Sequence, residues 1–234
     1  MTKSVFHIVT ISCLAVGLAA CIRVRETKTD ALKVELGEAK SAAIEMRMSA
    51  GELSIQGGAG ALAEGSFTYN VPRYKPEVDY HVFNNQGRLS IEQRRRAGVF
   101  FGHQENRWDI RLNNAVPIEL KLKFGAGEGN LDLRGLSLTS LGIDMGVGSL
   151  KLDLSGEHKE NLDVRIKGGV GEGTIYLPEG VGVRAKVKGG IGSVHAGAMH
   201  KDGDVYTNDA YGKTAVSINI SVEAGIGSIH LKMR

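Results

Sequence analysis

The sequence predicts an all-β chain folded as a single-domain β-solenoid, parallel β-helix-like, of about seven glycine-cornered rungs. Three observations predict it: a Gly-x-Gly phrase recurring along the second half of the chain, a period-two alternation of apolar residues on both sides of each phrase, and a large excess of glycine over proline. Glycine supplies 32 of the 234 residues and proline 4, which separates the chain from disordered Gly/Pro-rich linkers. No long stretch shows a 3.6-residue period, so helices are not expected.

An address precedes the repeats. Lys3 and the amino terminus form a short positive region, and residues 5–20 are an apolar run with no acid or base other than His7. Such a run is an export signal, not a fold element. It ends in Leu18-Ala19-Ala20-Cys21, which resembles the lipobox of bacterial lipoproteins. That resemblance implies cleavage between Ala20 and Cys21, a diacylglyceryl group on the Cys21 thiol, and acylation of the new amino terminus, with palmitate the expected acyl chain. Several chains anchor stably where one binds marginally. The plainer alternatives are an ordinary cleavable signal or an uncleaved anchor helix. Residues 1–20 are therefore the expected signal peptide, 21–34 a charged tether carrying Arg23, Arg25, Glu26, Lys28 and Asp30, and 35–234 the solenoid domain. Cleavage also removes Cys13 and leaves Cys21 alone, so no internal disulfide is expected. Ile22 is not the aspartate that in some bacteria marks inner-membrane retention. The expected location is the cell envelope, on the outer face of a bacterial membrane, the outer membrane in a Gram-negative cell.

Within the domain, residues 38–92 hold longer or degenerate repeats, with Met46, Met48, Gly51, Leu53 and Ile55 as one candidate rung and Val82, Gly87, Leu89 and Ile91 as another. The clear copies begin at Gly125-Ala126-Gly127, Gly146-Val147-Gly148, Gly169-Val170-Gly171, Gly190-Ile191-Gly192 and, after an insertion, Gly225-Ile226-Gly227. Alternating strands flank each phrase, for example Ile118, Leu120 and Leu122 before the first and Leu150, Leu152 and Leu154 after the second. Alternation means one buried and one wet face, so each repeat is two strands with a corner. Glycine suits the corner because it reaches positive φ and admits a neighbouring backbone. Successive segments lying one above another would merge their apolar sides into one core. The alternative is an antiparallel sandwich in which the glycines are hairpin turns.

The run Val116-Pro117-Ile118-Glu119-Leu120-Lys121-Leu122-Lys123-Phe124-Gly125-Ala126-Gly127-Glu128-Gly129-Asn130-Leu131-Asp132-Leu133 resembles the signature segment of the bacterial toast-rack domain family. Ile44 to Leu53 and Asn208-Asp209-Ala210-Tyr211-Gly212 fit it as well. The family includes adhesin-like domains and a membrane regulator of cell-wall stress. The resemblance implies a β-solenoid at the envelope and no catalytic set. Residues 93–107 do not fit the family pattern.

The residues themselves offer little chemistry. Gly125-x-Gly-x-Gly129 and Gly169-x-Gly-x-Gly173 precede further strands, whereas a phosphate loop must open a helix. With 29 bases, 26 acids and a net charge of +3, nothing points to nucleic acid, and no nucleic-acid partner, metal or cofactor is expected. Lys121, Lys123, Arg165, Lys167, Arg184, Lys186 and Lys188 fall on wet positions and would stack into a basic wall. That wall could meet anionic lipid headgroups, an acidic envelope polymer or an envelope protein; it could equally be a soluble face that discourages aggregation. Asp132, Lys151, Tyr176, His195 and His230 share the matching position of the second strand, with His195 and His230 neighbours if the insertion loops out. Lys201-Asp202-Gly203-Asp204 lacks calcium-loop spacing and is a turn. The insert 93–107 carries Arg94, Arg95, Arg96, Phe100 and Phe101, with Trp108 nearby, and is either a recognition loop or a core plug. The expected function is a non-enzymatic, membrane-tethered scaffold or adhesin-like binding domain, linked to envelope stress. The alternative is a β-helical enzyme acting on envelope polysaccharide, for which Glu128 and Glu172 are the carboxylates to test.

Overall fold

A computed structural model of the chain describes residues 26–93 and 103–234. It contains thirteen strands: β1 (Lys28–Val34), β2 (Ser41–Ala59), β3 (Ala63–Tyr69), β4 (Pro76–Phe83), β5 (Gln86–Gln93), β6 (Asn106–Asn113), β7 (Ile118–Asp132), β8 (Leu138–Asp153), β9 (Leu162–Leu177), β10 (Gly182–His195), β11 (His200–Asp202), β12 (Val205–Thr207) and β13 (Ser217–Met233). Residues 28–34, expected to belong to a tether, instead pair with β3 as an edge strand.

Each long strand is one rung, a first arm and a second arm joined through its Gly-x-Gly phrase, which in β2 is Ser49-Ala50-Gly51. The rungs stack in parallel and in register, so that Leu122 lies beside Ile143 and Leu131 beside Leu152. Their inward residues form the core: Ile118, Leu122, Leu152, Leu162 and Val183 are fully buried. The alternation of the sequence is thus the alternation of the fold, and the sandwich alternative is excluded by the parallel pairing of β2, β7, β8, β9, β13 and β10.

Backbone contact explains the glycines. The second glycine of each phrase has positive φ, 141° at Gly148 and 146° at Gly227. A Cβ on Gly148 would stand 1.8 Å from the carbonyl oxygen of Gly127, and one on Gly227 would stand 1.7 Å from that of Gly171. No side chain fits at that distance. Each continuous rung therefore requires its own corner glycine because the rung beside it presses a carbonyl against the corner.

From β7 through β8 to β9 stacking follows sequence order, whereas β2 lies between the later β5/β6 and β7. The order continues β9-β13-β10, so the last segment of the chain slips between two earlier ones. Two features enforce this. The β11–β12 hairpin occupies the outer side of β10 at residues 184–186, leaving the inner side for β13. Direct stacking of β10 on β9 would also set Lys186 against Arg165 and Lys188 against Lys167, and like charges directly opposite are destabilising. β13 places Ser221 and Glu223 between them instead.

The other end holds the split rung. β5 pairs with residues 41–47 of β2 and β6 with residues 52–59, so the two are the arms of one rung and the insert replaces its glycine corner. This makes seven rungs, β5/β6, β2, β7, β8, β9, β13 and β10. Val82 does not belong to that rung as expected; it lies on β4, which folds back antiparallel through Asn84 and Asn85 at φ 49° and 61°, a positive-φ pair suited to a tight hairpin. Gln93 and Asn106 close the corner with side-chain amides. Gln93 Oε1 accepts from Ser49 N at 2.9 Å, its Nε2 donates to Tyr74 O at 2.9 Å and to Asn106 Oδ1 at 2.8 Å, and Asn106 Nδ2 donates to Ala50 O. Trp108 is fully buried beneath this end, edge-on to Phe67 with ring centroids 5.1 Å apart.

Candidate functional site

The outward residues of the first arms form three rows across β7, β8, β9, β13 and β10. The row nearest the corner reads Lys123, Asp144, Lys167, Glu223, Lys188; the middle row Lys121, Gly142, Arg165, Ser221, Lys186; the far row Glu119, Ser140, Asp163, Asn219, Arg184. Strand pairing thus brings all seven sequence-predicted cations onto one face. It does not make them a uniform wall. The corner row alternates in sign, and Lys167 pairs with Glu223 at 3.5 Å and Lys123 with Glu45 at 3.0 Å. Burial pushes the Glu45 carboxyl up, but hydrogen bonds from Lys123 and Arg47 outweigh it and hold the group below the usual carboxylate range. Lys121, Arg165, Arg184, Lys186 and Lys188 make no ion pair among the described residues. A shallow groove of about 750 Å³ runs along the middle row, lined by Lys121, Arg165, Arg184 and Lys186, by the acids Glu119, Asp144 and Asp163, and by the small residues Gly142 and Ser221.

The second arms carry a different pattern. Lys151, His230 and His195 share one row with Asn130 and Thr174, while Asp132 and Tyr176 sit in the next row with Asp153 and Lys232. The five residues expected at one position therefore divide between two, because the segments following the second glycine are aligned by that glycine and not by the first charged residue. His195 and His230 become neighbours, their rings stacked at 4.8 Å. His230 Nε2 lies 3.4 Å from Glu172 Oε1 and Ser193 Oγ 3.0 Å from His195 Nε2. Among the described residues no group of three or more His, Cys, Asp or Glu could hold a metal ion.

Glu128 and Glu172 stand on one outer row with Ser149 between them, a backbone separation of about 9.6 Å, twice the strand spacing. That is wider than the about 5–5.5 Å of a retaining glycosidase pair and close to the upper end of the about 6.5–9.5 Å of an inverting one, and Glu172 is engaged by His230 at 3.4 Å. Cys21, Arg94, Arg95, Arg96, Phe100 and Phe101 lie outside the described residues. Trp108, which lies close to the insert in the sequence, belongs to the core. Two buried amides escaped sequence reasoning: Asn208 accepts from Val183 N at 2.8 Å and donates to Val181 O at 2.7 Å, and Asn113 accepts from Ala115 N at 2.8 Å. Asn208 reaches back to the start of β10, a partner too distant along the chain to read from the sequence, and Asn113 is the last residue of β6.

Residues 23–176 match the family described as the N-terminal domain of toast_rack, DUF2154. No curated protein matches the chain. Among solved structures, a protein from Clostridium sporogenes ATCC 15579 named as a candidate for cell adhesion is 38% identical, with TM-score 0.87, over 89% of this chain and 100% of its own. A candidate adhesin from Bacteroides fragilis NCTC 9343 is 16% identical, with TM-score 0.32, over 88% of this chain and 97% of its own. With more than half of the chain matched and its glycine-laddered solenoid shared with a relative over that relative's whole length, this chain belongs to the toast-rack family.

Proposed function

We propose that this chain is a non-enzymatic binding domain of the bacterial cell envelope, anchored by lipid on Cys21 to the outer face of a membrane and acting in adhesion, scaffolding or the envelope stress response. The observation that carries the reading is the relation to the Clostridium sporogenes protein named for cell adhesion, which aligns over its full length. Further support comes from the solenoid itself, whose parallel rungs display rows of charged side chains on the outer face of the first arms. The lipobox-like Leu18-Ala19-Ala20-Cys21 supports the anchor. In this arrangement a tether of residues 21–27 leads into β1 at the split-rung end of the stack.

The anchor is tested by intact-mass spectrometry of the full chain extracted from membranes in detergent. The expected species begins at Cys21 and carries acyl mass there, and Cys21→Ser abolishes that mass. An unmodified Cys21 in the membrane-extracted protein contradicts the anchor.

A further inference from the structure

The middle row of the first-arm face alternates a long cation with a small neutral residue: Lys121, Gly142, Arg165, Ser221, Lys186. We propose that this row is a rail for an extended anionic polysaccharide whose negative groups recur at about twice the strand spacing, near 9.6 Å. A polymer with one uronate per disaccharide is of that kind. The inference rests on the reading of the domain as an envelope binding module and names the ligand class of its first-arm face.

Charge bookkeeping separates this row from the one beside it. Lys123 and Lys167 are neutralised by Glu45 and Glu223, whereas Lys121, Arg165 and Lys186 make no ion pair among the described residues. Protection of a sheet edge does not account for them, since β7 and β9 are internal strands. The three cations are spaced by Gly142 and Ser221, and the row ends on Glu45, which stands beside Lys121 on β2 and pairs with Lys123, so Lys121, Arg165 and Lys186 are left to receive anions from outside the fold. The file of cations extends across five rungs, roughly 19 Å, which spans two repeats of the ligand.

The flanks select the shape of the ligand. Glu119 and Asp163 border the rail on one side, and Asp144 and Glu223 on the other. A flat anionic bilayer laid on this face would meet the acids together with the bases. A single thread can follow the middle row, with Glu119 and Asp163 lining the groove on one side of it and Asp144 on the other. The gaps left by Gly142 and Ser221 make room for sugar rings between the cations, and Ser140, Ser221 and Asn219 offer hydrogen bonds to sugar hydroxyls. Nucleic acid fits poorly, because its phosphates recur at about 3.4 Å per strand.

The test uses the full chain held by its own anchor in phosphatidylcholine vesicles, with hyaluronan (one uronate per disaccharide), polygalacturonate (a uronate on every sugar) and dextran (neutral) as probes. Hyaluronan is expected to bind more tightly than polygalacturonate, and dextran not at all. Binding should weaken with salt and fall by about tenfold or more in the Lys121→Gln, Arg165→Gln, Lys186→Gln triple variant, against less than about threefold in Lys123→Gln, Lys167→Gln. Lysine acetylation read by mass spectrometry should show Lys121 and Lys186 protected by hyaluronan and not by phosphatidylglycerol added to the vesicles. Absence of hyaluronan binding, preference for polygalacturonate, equal losses in the two variants, or protection by phosphatidylglycerol instead each overturns the proposal. None of these outcomes alters the mass at Cys21, so failure of the rail and failure of the anchor are read separately.

Discussion

Gly148→Ala is expected to destabilise the domain by about 4 kcal/mol or more, or to prevent folding altogether. The added Cβ would stand 1.8 Å from the Gly127 carbonyl oxygen, on a residue whose φ is 141°. Relief would require moving a carbonyl of the neighbouring rung, and that rung is pressed in turn against Gly51, whose carbonyl oxygen stands 1.9 Å from the place of a Cβ on Gly127. Strain at one corner therefore has nowhere local to go. Gly189→Ala is the matched control. Nothing lies within 4 Å of its Cβ position, and the change is expected to stay within about 0.5 kcal/mol. Urea unfolding followed by the fluorescence of Trp108, the sole tryptophan, measures both.

Trp108→Ala is the second large effect, an expected loss of about 3–5 kcal/mol. Trp108 is the largest fully buried side chain among the described residues and lies on the second arm of the split rung, paired with Leu53 of β2. Its indole Nε1 is buried and finds no acceptor among the described residues. Trp108→Phe removes that unpaired donor along with some volume, and the saved desolvation offsets part of the packing lost. The phenylalanine variant is expected within about 1.5 kcal/mol of the parent. Thermal unfolding by circular dichroism compares the three proteins, and equal losses in the two variants would show that packing volume is not what Trp108 contributes.

What could be read from the residues was whatever repeats. The alternation of Ile118, Leu120 and Leu122 marks a buried face whatever strand lies alongside, and the recurrence of Gly-x-Gly marks a corner because only a backbone neighbour excludes every Cβ at the same place. Strand order is a different kind of information. Nothing local in Ser217–Met233 says that it enters between two earlier rungs; that follows from charges on three strands at once, with Glu223 separating Lys167 from Lys188. The same holds for the binding face. Each cation was visible as a wet position, yet the middle row became distinct only when pairing put Gly142 and Ser221 between the cations and ion partners beside Lys123 and Lys167. The split rung was hidden for a related reason. β5 and β6 are short alternating strands separated by an insert, and no corner glycine announces that they are two arms of one turn.

Insertion of the final strand between β9 and β10 is the claim on which the charge rows, the histidine stack and the rail all depend. Paired cysteines test it in the full chain carrying Cys13→Ser. Ser193 and Ser228 face each other across adjacent strands with hydroxyls 3.2 Å apart, while Ser193 and Glu172 are separated by β13. A disulfide bridges Cα atoms up to about 7 Å apart, which admits neighbouring strands and not the about 9.6 Å of next-nearest ones. Ser193→Cys with Ser228→Cys is expected to crosslink on oxidation, and Ser193→Cys with Glu172→Cys to remain reduced. Crosslinking of the second pair in place of the first would put β10 directly on β9 and contradict the account.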